Sequence, residues 1–193
     1  MSIKLGITGG IGSGKTVVSR LLEVMGVPMY IADFHAKRLI QSDLFIRDSL
    51  VSLLGTDVYL GGMLNKKMLA RYIFDDTKNL SKVNAIIHPV VKADFEKWIK
   101  AHNRFKFVGI EAAILIEAGF VESVDKVVLV YAPFETRIRR AMLRDSSSRE
   151  EVLSRIKNQI SDDEKLQYAD FVIRNAPPEP LLPQVSLLLT ELL

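Results

Sequence analysis

The chain has 193 residues, 48% apolar and 25% charged, the make-up of a folded domain and not of a chain that stays disordered. With no cysteine and three scattered histidines, His35, His88 and His102, it offers no disulfide framework, zinc ribbon or cysteine nucleophile. Lysine plus arginine exceed aspartate plus glutamate by 26 against 23, and a net charge of +3 selects no anionic partner by itself.

In chain order, Ile3, Leu5 and Ile7 alternate with Lys4 and Gly6 as a strand does, and from Lys15 the residues Val17, Val18, Leu21, Leu22 and Met25 recur at helical spacing. Between them, Gly9-Gly10-Ile11-Gly12-Ser13-Gly14-Lys15-Thr16 satisfies G-x-x-x-x-G-K-[ST]. A strand before it and a helix after it are the setting in which such a loop turns its amides onto phosphate oxygens, with the helix dipole aimed at the same anion. Lys15 is expected at the β- and γ-phosphates, and Thr16 is expected to ligate Mg²⁺ through its hydroxyl. Gly10, Ile11, Gly12, Ser13, Gly14, Lys15 and Thr16 are thus the candidate nucleotide site, and a nucleoside triphosphate with magnesium is the expected ligand.

A second strand is expected over Val27 to Ala32, ended by Asp33. A carboxylate just past a parallel strand is placed to orient an acceptor hydroxyl and take its proton, or to cap the next helix. Residues 34 to about 101 read as wholly helical. Within them, Arg71 and His88-Pro89 are either structural, the proline marking a helix start, or contacts for a ligand.

Strands resume at Phe105 to Ile110 and Lys126 to Tyr131, the latter apolar enough to be covered on both faces. Glu111 follows the first of these as an acidic group near a metal or its waters, or as a structural residue, and Glu117 comes slightly later. Arg137, Arg139, Arg140, Arg144 and Arg149 face a single aspartate in thirteen residues. Arg140 and Arg144 share a helical face, as a triphosphate clamp would, although a solvated basic face is the alternative. The absence of interleaved aromatic residues argues against nucleic acid. Ser146-Ser147-Ser148 reads as a loop or hinge between helices over Arg137 to Arg144 and Glu150 to Ile160. A last strand, Phe171 to Ile173, precedes a proline-rich turn and a leucine-rich helix.

The longest apolar run, Val127 to Ala132, covers six residues, whereas a membrane helix needs about twenty. Met1 to Gly6 lacks the apolar stretch of a signal peptide, so a cytoplasmic location without membrane partners is expected. Nothing in the sequence sets an oligomeric state. A guanine-reading Asn-Lys-x-Asp segment is missing, since Asn65-Lys66-Lys67-Met68 lacks the aspartate, and the length suits a small-molecule kinase.

The ordered set Gly6 to Thr16, Ala32-Asp33 and Ile87-His88-Pro89 resembles the dephospho-CoA kinase family. Ile114-Leu115-Ile116-Glu117, Pro133-Phe134-Glu135-Thr136, Arg140, Arg144-Asp145, Arg155, Gln159, Ala169-Asp170 and Asn175 follow in the family's order. The resemblance implies an α/β fold of the P-loop NTPase type: a doubly wound, mainly parallel five-stranded sheet with a helical substrate-binding insertion and a helical lid. It places the nucleotide core in residues 1–33, 102–136 and 161–193, the insertion in 34–101 and the lid in 137–160. It implies ATP and dephospho-CoA as substrates, Asp33 as base, Arg71, His88 and Glu117 on the substrate side, and Arg140 and Arg144 as lid arginines. Two departures stand out: Ala113 replaces a proline and Arg137 replaces the usual glutamine.

Overall fold

The computed structural model describes residues 2–73 and 76–193. In chain order it contains β1 (Ile3–Thr8), α1 (Lys15–Val24), β2 (Met29–Ile31), α2 (Ala32–Ser42), α3 (Leu44–Leu54), β3 (Tyr59–Leu60), β4 (Met63–Leu64), α4 (Lys66–Ile73) and α5 (Thr77–Ala101). Then follow β5 (Phe107–Glu111), β6 (Lys126–Tyr131), α6 (Phe134–Asp145), α7 (Arg149–Lys157), α8 (Asp162–Leu166), β7 (Phe171–Arg174) and α9 (Leu181–Glu191). The chain divides into two compact units, residues 1–31 with 99–193, and residues 32–98.

The first unit is built on a five-stranded sheet of order β2-β5-β1-β6-β7, every neighbouring pair parallel. β1 lies at the centre with β5 and β6 on either side, in register Leu5 with Gly109 and Gly6 with Val127. This is where the order of connection reverses, and in such sheets the crevice at the carboxyl ends of the strands receives ligands. Val128, Leu129 and Val130 are fully buried, as expected of a strand covered on both faces. Leu5, Ile7, Val128 and Val130 join Val18 and Leu22 of α1 and Val185 and Leu188 of α9 in one core. Each fully buried valine or leucine contributes about 1.5–3 kcal/mol, so the central strands are rigidly held.

The serine run has a specific local structure. Ser146 ends α6 in the left-handed conformation at φ 50°, and Ser148 opens α7 through a capping box with Glu151. Across that turn α7 packs on α6, where Val152 meets Ile138 and Ala141, and Ile11 of the phosphate loop packs against the same cluster.

In the second unit Asp43 caps α3 by accepting from the Ile46 amide at 3.0 Å. The reading of 34–101 as wholly helical is corrected here, because β3 and β4 form an antiparallel hairpin. Its two-residue turn, Gly61-Gly62, has φ 56° and 81°, the pair of positive angles that a tight hairpin demands and glycine supplies. Gln41 holds it from both sides, donating to the Gly62 carbonyl at 2.7 Å and accepting from the Leu64 amide at 3.1 Å. Pro89 is also corrected as a helix start: it lies inside α5, which continues through it. Among the described residues, no helix is long and apolar enough to cross a membrane.

Candidate active site

The loop between β1 and α1 carries the expected nucleotide residues at the carboxyl edge of the sheet. Gly14 precedes α1, and its carbonyl accepts from the amides of Val17 and Val18, so the helix begins directly from the loop. The Lys15 ammonium folds back over the loop and donates to the carbonyls of Gly9 at 2.9 Å and Gly10 at 3.2 Å. A lysine held this way keeps its charge at the loop mouth, ready to exchange carbonyl partners for phosphate oxygens.

Thr16, in the first turn of α1, donates its hydroxyl proton to Glu111 Oε1 at 2.7 Å. Glu111 ends β5, is only 8% exposed, and its other oxygen, Oε2, is buried without a partner. The hydroxyl of Ser13 in the loop is likewise buried and unpaired. Buried polar atoms are seldom left unpaired without a reason, and a hydroxyl next to a carboxylate is the hard-oxygen pairing that Mg²⁺ or its waters take up. No group of three or more histidine or acidic side chains able to hold a metal occurs among the described residues.

Of the two glutamates expected near the site, Glu111 is therefore the one beside Thr16. Glu117 accepts from the Ile160 amide at 3.1 Å, and its carboxylate stands 4.0 Å from the Lys165 ammonium. Lys165 is fully buried and donates to the Ile160 carbonyl at 3.1 Å. Burial holds its ammonium below lysine's usual range, while Glu117 and Asp162 oppose that shift.

Three further side chains brace the loop. Asn175, just past β7, donates to the Ser13 carbonyl at 2.7 Å, and its own carbonyl accepts from Arg140 at 3.0 Å. Gln159 accepts from the Ile11 amide at 3.1 Å and donates to the Ala113 carbonyl at 3.3 Å. Arg137, buried in α6, forms an ion pair with Asp162 at 2.9 Å. The sequence places Gln159 and Asn175 in a motif but gives neither a partner, and it reads Arg137 as part of a basic run and as a departure from the family's usual glutamine, without a partner. Arg144 does not share a partner with Arg140. Its guanidinium grips the adjacent Asp145 at 2.7 and 2.9 Å, and Arg155 joins the same carboxylate at 2.8 Å. These contacts hold Asp145 well below the usual carboxylate range.

The remaining candidates belong to the second unit. Asp33 is exposed in the first turn of α2, which follows β2 with no intervening loop. It is the second residue of the helix and not the residue before it, so it stands inside the first turn instead of at the N-cap position, where its charge suits the helix dipole. Arg71 is exposed in the last turn of α4. His88 is half-buried in α5, and burial lowers the pKa of its imidazole.

The sequence profile of the dephospho-CoA kinase family matches residues 3–178. The chain belongs to that family. A dephospho-CoA kinase of Bacteroides fragilis is 51% identical over 185 residues, covering 96% of this chain and 90% of that protein. The crystal structure of a Thermus thermophilus protein is 33% identical with a TM-score of 0.85, covering 100% of this chain and 98% of its own. A dephospho-CoA kinase from Campylobacter jejuni matches with a TM-score of 0.72 at 23% identity, covering 100% of this chain and 98% of its own, a likeness of fold. The architecture is thus that of a P-loop NTPase, and the family member is an ATP-dependent kinase with a place in coenzyme A biosynthesis.

Proposed function

We propose that the chain transfers the γ-phosphoryl group of ATP to the ribose 3′-hydroxyl of dephospho-CoA, giving CoA and ADP in the cytoplasm. The observation that carries the reading is the loop Gly9–Thr16, with its lysine turned over the loop carbonyls and its threonine hydroxyl against Glu111, in a chain of this family. The loop amides and Lys15 hold the β- and γ-phosphates, where a fixed positive charge offsets the charge that moves to the leaving oxygen. Mg²⁺, when bound, neutralises part of the phosphate charge, and Thr16 and Glu111 are the residues that would hold it or its waters.

Asp33 orients the 3′-hydroxyl and receives its proton as the bond from oxygen to phosphorus forms and the bond to ADP breaks. Arg71, His88 and Glu117 serve dephospho-CoA. Residues 137–160 act as a lid, in which Arg140 and Arg144 bring positive charge to the nucleotide. Arg144 must leave Asp145 to do so, which ties its contribution to a change of conformation. Amide exchange across residues 137–160 should accordingly slow when an ATP analogue and dephospho-CoA are both bound, and unchanged exchange would contradict the lid.

Replacing Glu111 by Gln keeps the shape and hydrogen-bonding capacity beside Thr16 but removes the charge. The Mg²⁺ concentration for half-maximal turnover should rise about tenfold, as for the loss of one charge-assisted contact. An unaltered Mg²⁺ dependence would remove Glu111 from the metal's surroundings. Substrate choice tests the function itself: with ATP present, dephospho-CoA should be turned over far faster than adenosine, AMP or shikimate. Comparable rates on those smaller acceptors would point to another kinase activity, and ATP binding without turnover of any acceptor would point to a regulator.

A further inference from the structure

Arg137 occupies a place where an arginine alone is unfavourable. It lies in the first turn of α6, the positive end of the helix, and is only 5% exposed. A second buried cation, Lys165, is near enough for Arg137 to depress its pKa further. The guanidinium lies against the phosphate loop: a Cβ added to Gly10 would collide with Arg137 Nη1 and stand 2.6 Å from Cζ and 3.3 Å from Nη2. The main-chain carbonyl of Arg137 is pressed on Gly12 in the same way. Only Nη1 is used by Asp162, at 2.9 Å, and Nε is buried without a partner. The Phe134 ring lies 5.6 Å from Cζ, a cation–π contact.

We propose that Arg137 is a binding residue of the ATP site, a buried positive charge set against Gly10 that strengthens triphosphate binding, with Asp162 offsetting the cost of its burial. The inference rests on the ATP site proposed above. A buried cation beside a loop that binds anions adds to the field at the phosphates, and it acts in a poorly screened environment. Asp162 offsets the desolvation of the arginine, and the pair is neutral only while both members are present. Removing the arginine alone leaves a carboxylate near the loop, whose charge opposes that of the triphosphate.

This gives a pattern of effects that a simple brace would not. In the full chain, R137Q should weaken binding of a fluorescent ATP analogue and raise the KM for ATP about tenfold, the loss expected for one charged contact, with kcat and the KM for dephospho-CoA within about threefold. R137K should recover most of the loss. The double variant R137Q/D162N should bind the analogue more tightly than R137Q, and D162N alone should bind it at least as tightly as the parent chain, with steeper salt dependence. The proposal is overturned if R137Q leaves analogue affinity within about twofold, if R137K is no better than R137Q, or if D162N weakens binding as much as R137Q does. Should R137Q fail to fold, R137K and D162N still decide the point. A parent chain that does not bind the analogue overturns the ATP site itself, and that outcome is separate from these.

Discussion

Lys15→Ala should lower turnover about 10²–10³-fold or more, because the variant loses a charge held where negative charge builds up on the transferred group. The structure sharpens this expectation. Lys15 is not a surface lysine that happens to follow glycines, since its ammonium bridges two carbonyls of the loop, Gly9 and Gly10. Substitution by alanine deletes both bonds, yet the loop keeps its other supports, Asn175 on the Ser13 carbonyl and Gln159 on the Ile11 amide. The fold and melting temperature should therefore change little while chemistry collapses. Steady-state kinetics with a parallel melting curve check the separation, and a loss of only a few fold in turnover would remove Lys15 from the reaction.

Asp33→Asn is expected to have an effect of similar size for a different reason. Asparagine keeps the shape but cannot take a proton, so turnover should fall about 10²–10⁴-fold, the usual span for a positioned base. Because Asp33 is exposed in the first turn of α2, inside the helix, stability should move by no more than about 1 kcal/mol in either Asp33→Asn or Asp33→Ala, the size of a charge–dipole term. Affinity for ATP should also hold, since the loop amides and Lys15 bind the triphosphate. Near-normal turnover in Asp33→Asn would sink the assignment of Asp33 as base.

The two residues also show what a sequence discloses and what it withholds. The phosphate loop was legible because its glycines, lysine and threonine are contiguous and bracketed by a period of two and then a period of 3.6. Strand β6 was legible over its full length because both its faces are buried, leaving an unbroken apolar run. The sequence places Asp33 at the end of a strand because Ile31 passes into α2 without turn residues, so no punctuation marks the boundary. The β3–β4 hairpin was lost because two residues per strand are too few to show alternation, although Gly61-Gly62 between apolar pairs carried a usable signal. The interior position of Pro89 runs against the helix propensity of proline, and packing of α5 through Val83, Ile87, Val91 and Phe95, all buried, outweighs it.

Charged residues were the least legible. In sequence, Arg137, Arg140, Arg144 and Arg149 look alike, a basic run on one helix and its following loop. In the fold each meets a different group: Asp162, the Asn175 carbonyl, Asp145 and Glu135. Arg137 and Asp162 are 25 residues apart, and a buried ion pair leaves no period that would distinguish it from two solvated charges. Glu111 was closer to legible, since the carboxyl end of a central parallel strand is a recurrent place for ligand contacts. What no spacing could supply was the 2.7 Å bond from Thr16 that separates it from Glu117.

The most direct test of the whole account is a single incubation of the purified chain with ATP, Mg²⁺ and dephospho-CoA, followed by mass spectrometry and phosphorus NMR of the product. The account predicts stoichiometric ADP and a product heavier than dephospho-CoA by one phosphoryl group, located on the ribose 3′-oxygen. ADP formed without that product, or a phosphoryl group found on any other oxygen, would contradict it.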